Sequence, residues 1–278
     1  MEEHTLYGGE VLLRFDPVKH LYTVKIGDED WKRVYGTTSV LQVINKPAIV
    51  YWAVGKAITH IEEEWKPGVE YDEIQITEAL KDAKSAHRKF LSKAADTGTF
   101  VHKWIEEWIK ATKEGKKTAS LPVNKKIRES IEQFLVWVET NNVKFILNEQ
   151  IVYNREYNVA GKLDNTLTID GEIERLNMDG SREMIEVKGL YLGDIKTSSG
   201  IYPEQGFQLS NYLESRTQEY PKEKYLGRII VRIGKDGKFE PVLLGSSQED
   251  DLSAFYGAHA LFMRFEKEKD LKKQRSGR

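Results

Sequence analysis

The chain has 278 residues, 40% hydrophobic and 31% charged, enough apolar material for a sizeable core under a charged surface. That balance excludes a disordered chain, and 21 Gly with 7 Pro exclude a collagen-like or low-complexity one. Cysteine is absent, so disulfides, thiolate nucleophiles, Cys-ligated zinc and Cys-ligated iron–sulfur clusters are all excluded.

The 42 Lys and Arg against 44 Asp and Glu leave a formal charge of -2, which is neutral on the question of a polyanionic partner. Local charge says more. Lys81, Lys84, Arg88, Lys89 and Lys93 crowd one segment against Asp82 alone, and the tail from Arg264 to Arg278 is basic on balance. The N-terminus is acidic and lacks an apolar signal region. Apolar runs such as Ile229 to Val231 fall far short of the ~18 residues of a membrane helix. The expectation is a soluble, cytoplasmic protein without a membrane partner.

In chain order, residues 11–34 read as a β-hairpin of two runs, VLLRF and HLYTVKI, with a turn at Gly27-Asp28. Thr37, Thr38 or Ser39 can cap a helical stretch that runs past Trp52 and Ala57, with Pro47 as a break or a new first turn. Ile76 to Ala95 predicts a second helix, and a third begins near Gly98. A fourth spans Asn124 to Glu139, with Ile127, Ile131, Phe134, Leu135 and Val138 on one stripe.

From Val143 the period changes to that of strands, with Asp170-Gly171 and Asp179-Gly180 as hairpin-turn signals. Pro203 opens a helix through Leu213, and two further strands flank Lys235-Asp236-Gly237. Ser246 to Glu249 form a capping box for the last helix. This order predicts an α/β protein, with residues 1–97 as an N-terminal β-hairpin and helical part. Residues 98–278 then form a core with an extra β-hairpin near 171–189 and a C-terminal helix.

Four short constellations could carry chemistry. In Gly193-Asp194-Ile195-Lys196-Thr197, strand alternation puts Asp194 and Lys196 on one face, ~7 Å apart along the chain. The carboxylate can hold a divalent cation, the ammonium can orient a water, and the Ile195 carbonyl is a further oxygen ligand. An acid-x-base triplet is expected about seven times by chance in this composition, so the triplet alone is weak. Asp164 follows Gly161 on the strand before the hairpin that leads to Asp194, and a strand glycine often marks close approach of a backbone or ligand.

His102 lies at the edge of a helical arc of Phe100, Val101, Trp104, Ile105 and Trp108, a place from which an imidazole can reach a metal or simply pack. Gln205, Gln208 and Tyr212 share a face at i, i+3 and i+7. Their amides and phenol suit phosphate oxygens or base edges.

Taken in order, Gly98 to His102, Gly161 to Asp164, Asp194 to Thr197 and Gln208 to Tyr212 resemble the motifs of the RecB-like exonuclease branch of the PD-(D/E)XK nucleases. The resemblance covers roughly residues 90–245, and its specificity lies in the ordered set. FDPVKHLYTV, TTSVLQVINKP and WAVGKA are also similar to the start of phage-encoded members.

The resemblance implies a restriction-endonuclease-like mixed β-sheet flanked by helices, and a DNA exonuclease leaving 5′-phosphate and 3′-hydroxyl ends in recombination, repair or processing. It implies one or two Mg²⁺ or Mn²⁺ ions on His102, Asp164, Asp194 and the Ile195 carbonyl. Glu149 is a candidate second-metal or water ligand, and Lys196 is the catalytic lysine. Gln205, Gln208, Tyr212 and Thr197 would contact DNA, joined by Lys84, Arg88 and Lys93 on the basic helix. The implied partners are single-stranded DNA or a duplex end, and a single-strand annealing or binding protein.

Three departures stand out: Leu163 replaces the Pro of the superfamily name, the interval from Asp164 to Asp194 is long, and the absence of Cys excludes the iron–sulfur cluster that some relatives carry. The competing readings are a structure- or sequence-specific endonuclease of the same superfamily, and a non-catalytic DNA-binding protein that keeps the fold.

Overall fold

The computed structural model describes residues 1–276; Arg278, the end of the basic tail, lies outside them. The chain forms two compact units. One is built from Met1–Val43 and the chain from Trp104 onward, the other from Ile44–Lys103.

The first unit is an α/β structure around a nine-stranded mixed sheet. It begins with an antiparallel meander, β1 (Glu2–Leu6), β2 (Val11–Asp16), β3 (Leu21–Ile26) and β4 (Lys32–Gly36). Alternation along β2 buries Val11, Leu13 and Phe15, which pack with Tyr22, Val24 and Val34. The two-run hairpin is therefore the middle of four strands. β1 is too polar to read as a strand, yet it pairs from Glu2↔Phe15 to Leu6↔Val11. Gly27 turns β3 into β4, while Asp16 Oδ1 closes the β2–β3 turn by accepting from the Val18 and Lys19 amides, both at 3.0 Å.

After the short α1 (Thr37–Val40), the chain re-enters this unit along the helix α3 (Glu73–Lys113), followed by α4 (Lys125–Thr140). Asn124 caps α4, its side chain accepting from the Ile127 amide at 3.2 Å. The α4 stripe buries Ile127, Ile131 and Phe134, with Trp137 added.

The strands β5 (Lys144–Asn154), β6 (Val159–Leu176) and β7 (Arg182–Lys196) are long. β6 is antiparallel to β5 and β7 and parallel to β4. Asp170-Gly171 is no turn: it lies inside β6, where Gly171↔Val187 is an ordinary pair. Glycine is needed there because a Cβ would stand 2.5 Å from Asn141 Oδ1. The hairpin turns instead at Asp179-Gly180, with Gly180 at φ +84°.

α5 (Pro203–Glu219) then packs on β5, and β8 (Tyr225–Ile233) runs parallel to β7. β9 (Phe239–Leu244) is antiparallel to β8 and also parallel to the far end of β6, so β6, β7, β8 and β9 form a closed circuit of pairing. α6 (Gln248–Ser276) starts at the predicted box, where Ser247 Oγ accepts from the Asp250 amide at 3.0 Å. Among the described residues, no helix is long and apolar enough to cross a membrane.

The second unit holds α2 (Pro47–Glu64) and most of α3. Pro47 starts a new helix, as its fixed φ favours. The two helices expected around Gly98 are one. An interior Gly costs only ~1 kcal/mol against Ala, and the flanking helix formers outweigh it. Of the expected apolar arc, Val101, Trp104 and Ile105 are buried and Trp108 is half-buried, but Phe100 is 47% exposed, because the buried stripe is centred on Val101 and Ile105, takes in Ile109, and leaves Phe100 to its side. Lys84, Arg88 and Lys93 are exposed on α3.

Candidate active site

Within the first unit, three of the four sequence constellations meet. Asp194 lies near the end of β7, only 2% exposed. The β6–β7 register runs to Asn165↔Gly193, so Asp164 and Asp194 stand on adjacent strands where the ladder ends. Asp164 Oδ2 accepts a hydrogen bond from the Ile195 amide at 2.8 Å, which fixes its carboxylate beside the Asp194 strand. Lys196 pairs with Asp194, and its ammonium donates to Gln208 Oε1 at 3.3 Å. The Gln208 amide nitrogen donates in turn to the Tyr212 hydroxyl at 3.0 Å. Asp194, Lys196, Gln208 and Tyr212 thus form one connected chain from β7 to α5.

Gly161 explains how α5 comes so close. A Cβ there would lie 2.3 Å from the Tyr212 ring and 2.9 Å from Thr37 Oγ1. Thr37, fully buried, donates to the Ala160 carbonyl at 3.0 Å and accepts from Asn211, whose Oδ1 accepts from Asn154, each also at 3.0 Å. This polar strut ties α1, β5, β6 and α5 together behind the carboxylates. Sequence reasoning missed it, because an isolated Thr or Asn carries no signal of its burial; the only hint was Thr37 as a helix cap.

Electrostatics separates Asp164 from an ordinary surface acid. Burial first, and then the Asp194 charge, push Asp164 well above the usual carboxylate range, with Lys196 and the Ile195 amide opposing. Lys196 is held protonated above the ordinary lysine range: burial opposes this, but the charges of Asp194 and Asp164 outweigh it. Burial, seconded by Asp194, also keeps the Tyr212 phenol neutral.

A raised carboxyl pKa in the folded state stabilises below the unfolded value and is lost as pH rises through the folded one. Above the unfolded pKa, the buried Asp164 carboxyl therefore weakens the metal-free protein. Asp164→Asn is expected to raise the metal-free melting temperature by a few degrees at pH 7–8, with the gain vanishing below about pH 4. A gain independent of pH would show that charge is not its cause.

Glu149 sits across from Asp164. The β5–β6 ladder keeps one register through Asn148↔Asn165 and Gln150↔Leu163, which places Glu149 opposite Asp164. A carboxylate oxygen of each lies within 4.8 Å of one on the other. Glu149 has φ +56°, a left-handed backbone rare outside glycine, so the strand is strained where its side chain is aimed. Its carboxylate is ion-paired with Lys162.

The remaining sequence candidates are placed as follows. Gln205 is buried, and its amide works within the α5 cap, accepting from the Tyr202 amide at 3.1 Å and donating to Ser198 Oγ at 3.1 Å. Thr197 is half-buried directly after Lys196. His102, Lys84, Arg88 and Lys93 belong to the second unit, of which His102 is the penultimate residue. The loop after Thr197 is pinned by the buried Arg232, which donates to the Ser198 carbonyl at 2.8 Å and the Ser199 carbonyl at 3.2 Å. No protein-family model matches this chain, and no curated protein does.

Proposed function

We propose that this chain is a Mg²⁺- or Mn²⁺-dependent deoxyribonuclease that hydrolyses phosphodiester bonds from DNA ends, leaving 5′-phosphate and 3′-hydroxyl products. The observation that carries this reading is the convergence of Asp164, Asp194, Lys196 and Gln208 around a carboxylate oxygen sealed from solvent. Asp194 Oδ2, sealed from solvent, is ion-paired with the Lys196 ammonium. A buried carboxylate beside a second carboxylate fits a hard divalent cation, which prefers oxygen ligands.

Asp164, Asp194 and the Ile195 carbonyl would hold that cation, with Glu149 at its flank and His102 added on the sequence resemblance. Bound there, the cation would lower the pKa of a coordinated water and offset charge on the phosphate. Lys196, kept charged and fixed by Asp194 and Gln208, orients the attacking water or offsets charge that develops in the transition state. Gln208 and the buried Tyr212 fix the lysine from α5, one amide bonded to the ammonium and to the phenol. Thr197 and the exposed Lys84, Arg88 and Lys93 supply phosphate contacts. A role in DNA recombination or repair, beside a single-strand annealing or binding protein, follows from the same resemblance.

The test is a nuclease assay with Mg²⁺ or Mn²⁺ on 5′-labelled linear single-stranded, linear double-stranded and covalently closed circular DNA. Mononucleotide release or laddering from linear DNA alone is the expected result. Cut circles would replace the exonuclease reading with an endonuclease one. DNA binding with no cutting of any substrate would favour a non-catalytic binding protein.

A further inference from the structure

Lys162 is the feature next to the carboxylates that the proposed chemistry leaves without a task. It lies on β6 two residues before Asp164 and pairs in register with Ile151. Because Glu149 stands opposite Asp164, Lys162 and Glu149 are diagonal neighbours across two antiparallel strands, a spacing that long side chains bridge. They do so: the Lys162 ammonium is ion-paired with Glu149, with side chains 41% and 20% exposed. Glu149 is also the residue whose backbone is left-handed, and its carboxylate lies within 4.8 Å of Asp164. A strained strand therefore aims an acid at Asp164, and a lysine on the same strand as Asp164 takes hold of it.

We propose that Lys162 is a positioning residue and built-in counter-ion of this site. It holds Glu149 in the cation-free protein and competes with an incoming divalent cation for that carboxylate. The inference rests on the nuclease reading and adds a cation threshold to it. A partly exposed ammonium beside the acids offsets part of the repulsion among Glu149, Asp164 and Asp194 while no cation is bound. It must give way when one binds, so the lysine weakens cation affinity and limits loading at low metal concentration. The partial exposure of the pair favours this exchange. The ammonium can move into water on release, whereas a fully buried lysine would face the cost of an unpaired charge.

The experiment measures Mn²⁺ affinity of the full chain by electron paramagnetic resonance, for wild type, Lys162→Met, Lys162→Arg, Glu149→Gln and the double variant Lys162→Met/Glu149→Gln. Lys162→Met is expected to tighten Mn²⁺ binding about fivefold, the upper range for one partly exposed ion pair. Lys162→Arg keeps the counter-ion and should bind within about twofold of wild type. In the Glu149→Gln background, removing the lysine should change little, since the contested carboxylate is gone.

An unchanged Mn²⁺ affinity in Lys162→Met overturns the proposal. So does a gain of equal size with and without Glu149, which would be a general charge effect. The metal-site reading is tested separately by Asp194→Asn. Wild type that binds no Mn²⁺, or binds it as well after Asp194→Asn, removes the metal site and this inference with it. Normal binding by wild type with no response at Lys162 removes the inference alone.

Discussion

Lys196→Ala is expected to lower the turnover number on linear DNA by about a thousandfold, with KM changed less than about threefold. The reasoning starts from where the ammonium is held. It is pinned between Asp194 and Gln208, and the nearby acids keep it charged across the neutral range. A charge fixed before the reaction needs no reorganisation as negative charge builds on the phosphate, so its removal acts on the transition state rather than on substrate binding.

The same substitution removes the cation that balances two buried acids, so the metal-free variant should also melt lower and regain stability on addition of Mn²⁺. Circular dichroism at the assay temperature separates loss of chemistry from loss of fold. Turnover within tenfold of wild type, in a folded variant, would assign Lys196 to structure instead.

The second large effect lies away from the carboxylates. Arg228, 3% exposed, donates to the Gly206 carbonyl at 3.0 Å, Asp251 Oδ2 at 2.6 Å, and the Ser246 and Ser247 carbonyls at 2.8 and 3.0 Å. One guanidinium thus joins β8 to the first turn of α5 and to the start of α6. Arg228→Met leaves Asp251, itself 7% exposed, without a counter-charge, with only the Ser246 hydroxyl still donating to its Oδ2 at 2.6 Å, and takes a donor from three carbonyls.

The expected cost is about 3–5 kcal/mol, or a fall of roughly 10 °C in melting temperature for a chain of this size. Arg228→Met combined with Asp251→Leu should recover part of the loss, because the uncompensated charge is then gone. A single variant that melts within about 2 °C of wild type would mean that water replaces the guanidinium at little cost.

The parts of the site that the sequence disclosed are those carried by residue identity and order. Gly161, Asp164, Asp194, Lys196, Gln208 and Tyr212 each sit in a short motif, and strand or helix periodicity was enough to set their local directions. What stayed hidden depends on register and on contacts between distant segments. The pairing of Lys162 with Glu149 follows from a β5–β6 alignment that no local pattern specifies, and the left-handed backbone of Glu149 has no signature in an acidic residue.

Gly171 invited a turn by composition, yet it is required by the approach of Asn141 from the end of α4. β1 was missed for the opposite reason. Its polar face looks to solvent, and backbone pairing with β2 holds it where hydrophobic alternation is absent. The fold class was legible because helical and strand periods alternate cleanly. The closing of β9 onto β6 was not.

That closure has a bearing on how the chain is made. β9 ends at Leu244, late in the sequence, and it covers both β8 and the end of β6. Until it has been synthesised, every strand it will cover presents open backbone donors and acceptors, the surface on which unfinished chains join one another. A nascent chain that already carries all of Asp164, Asp194 and Lys196 is therefore still adhesive, and stops being so only when its final strand arrives.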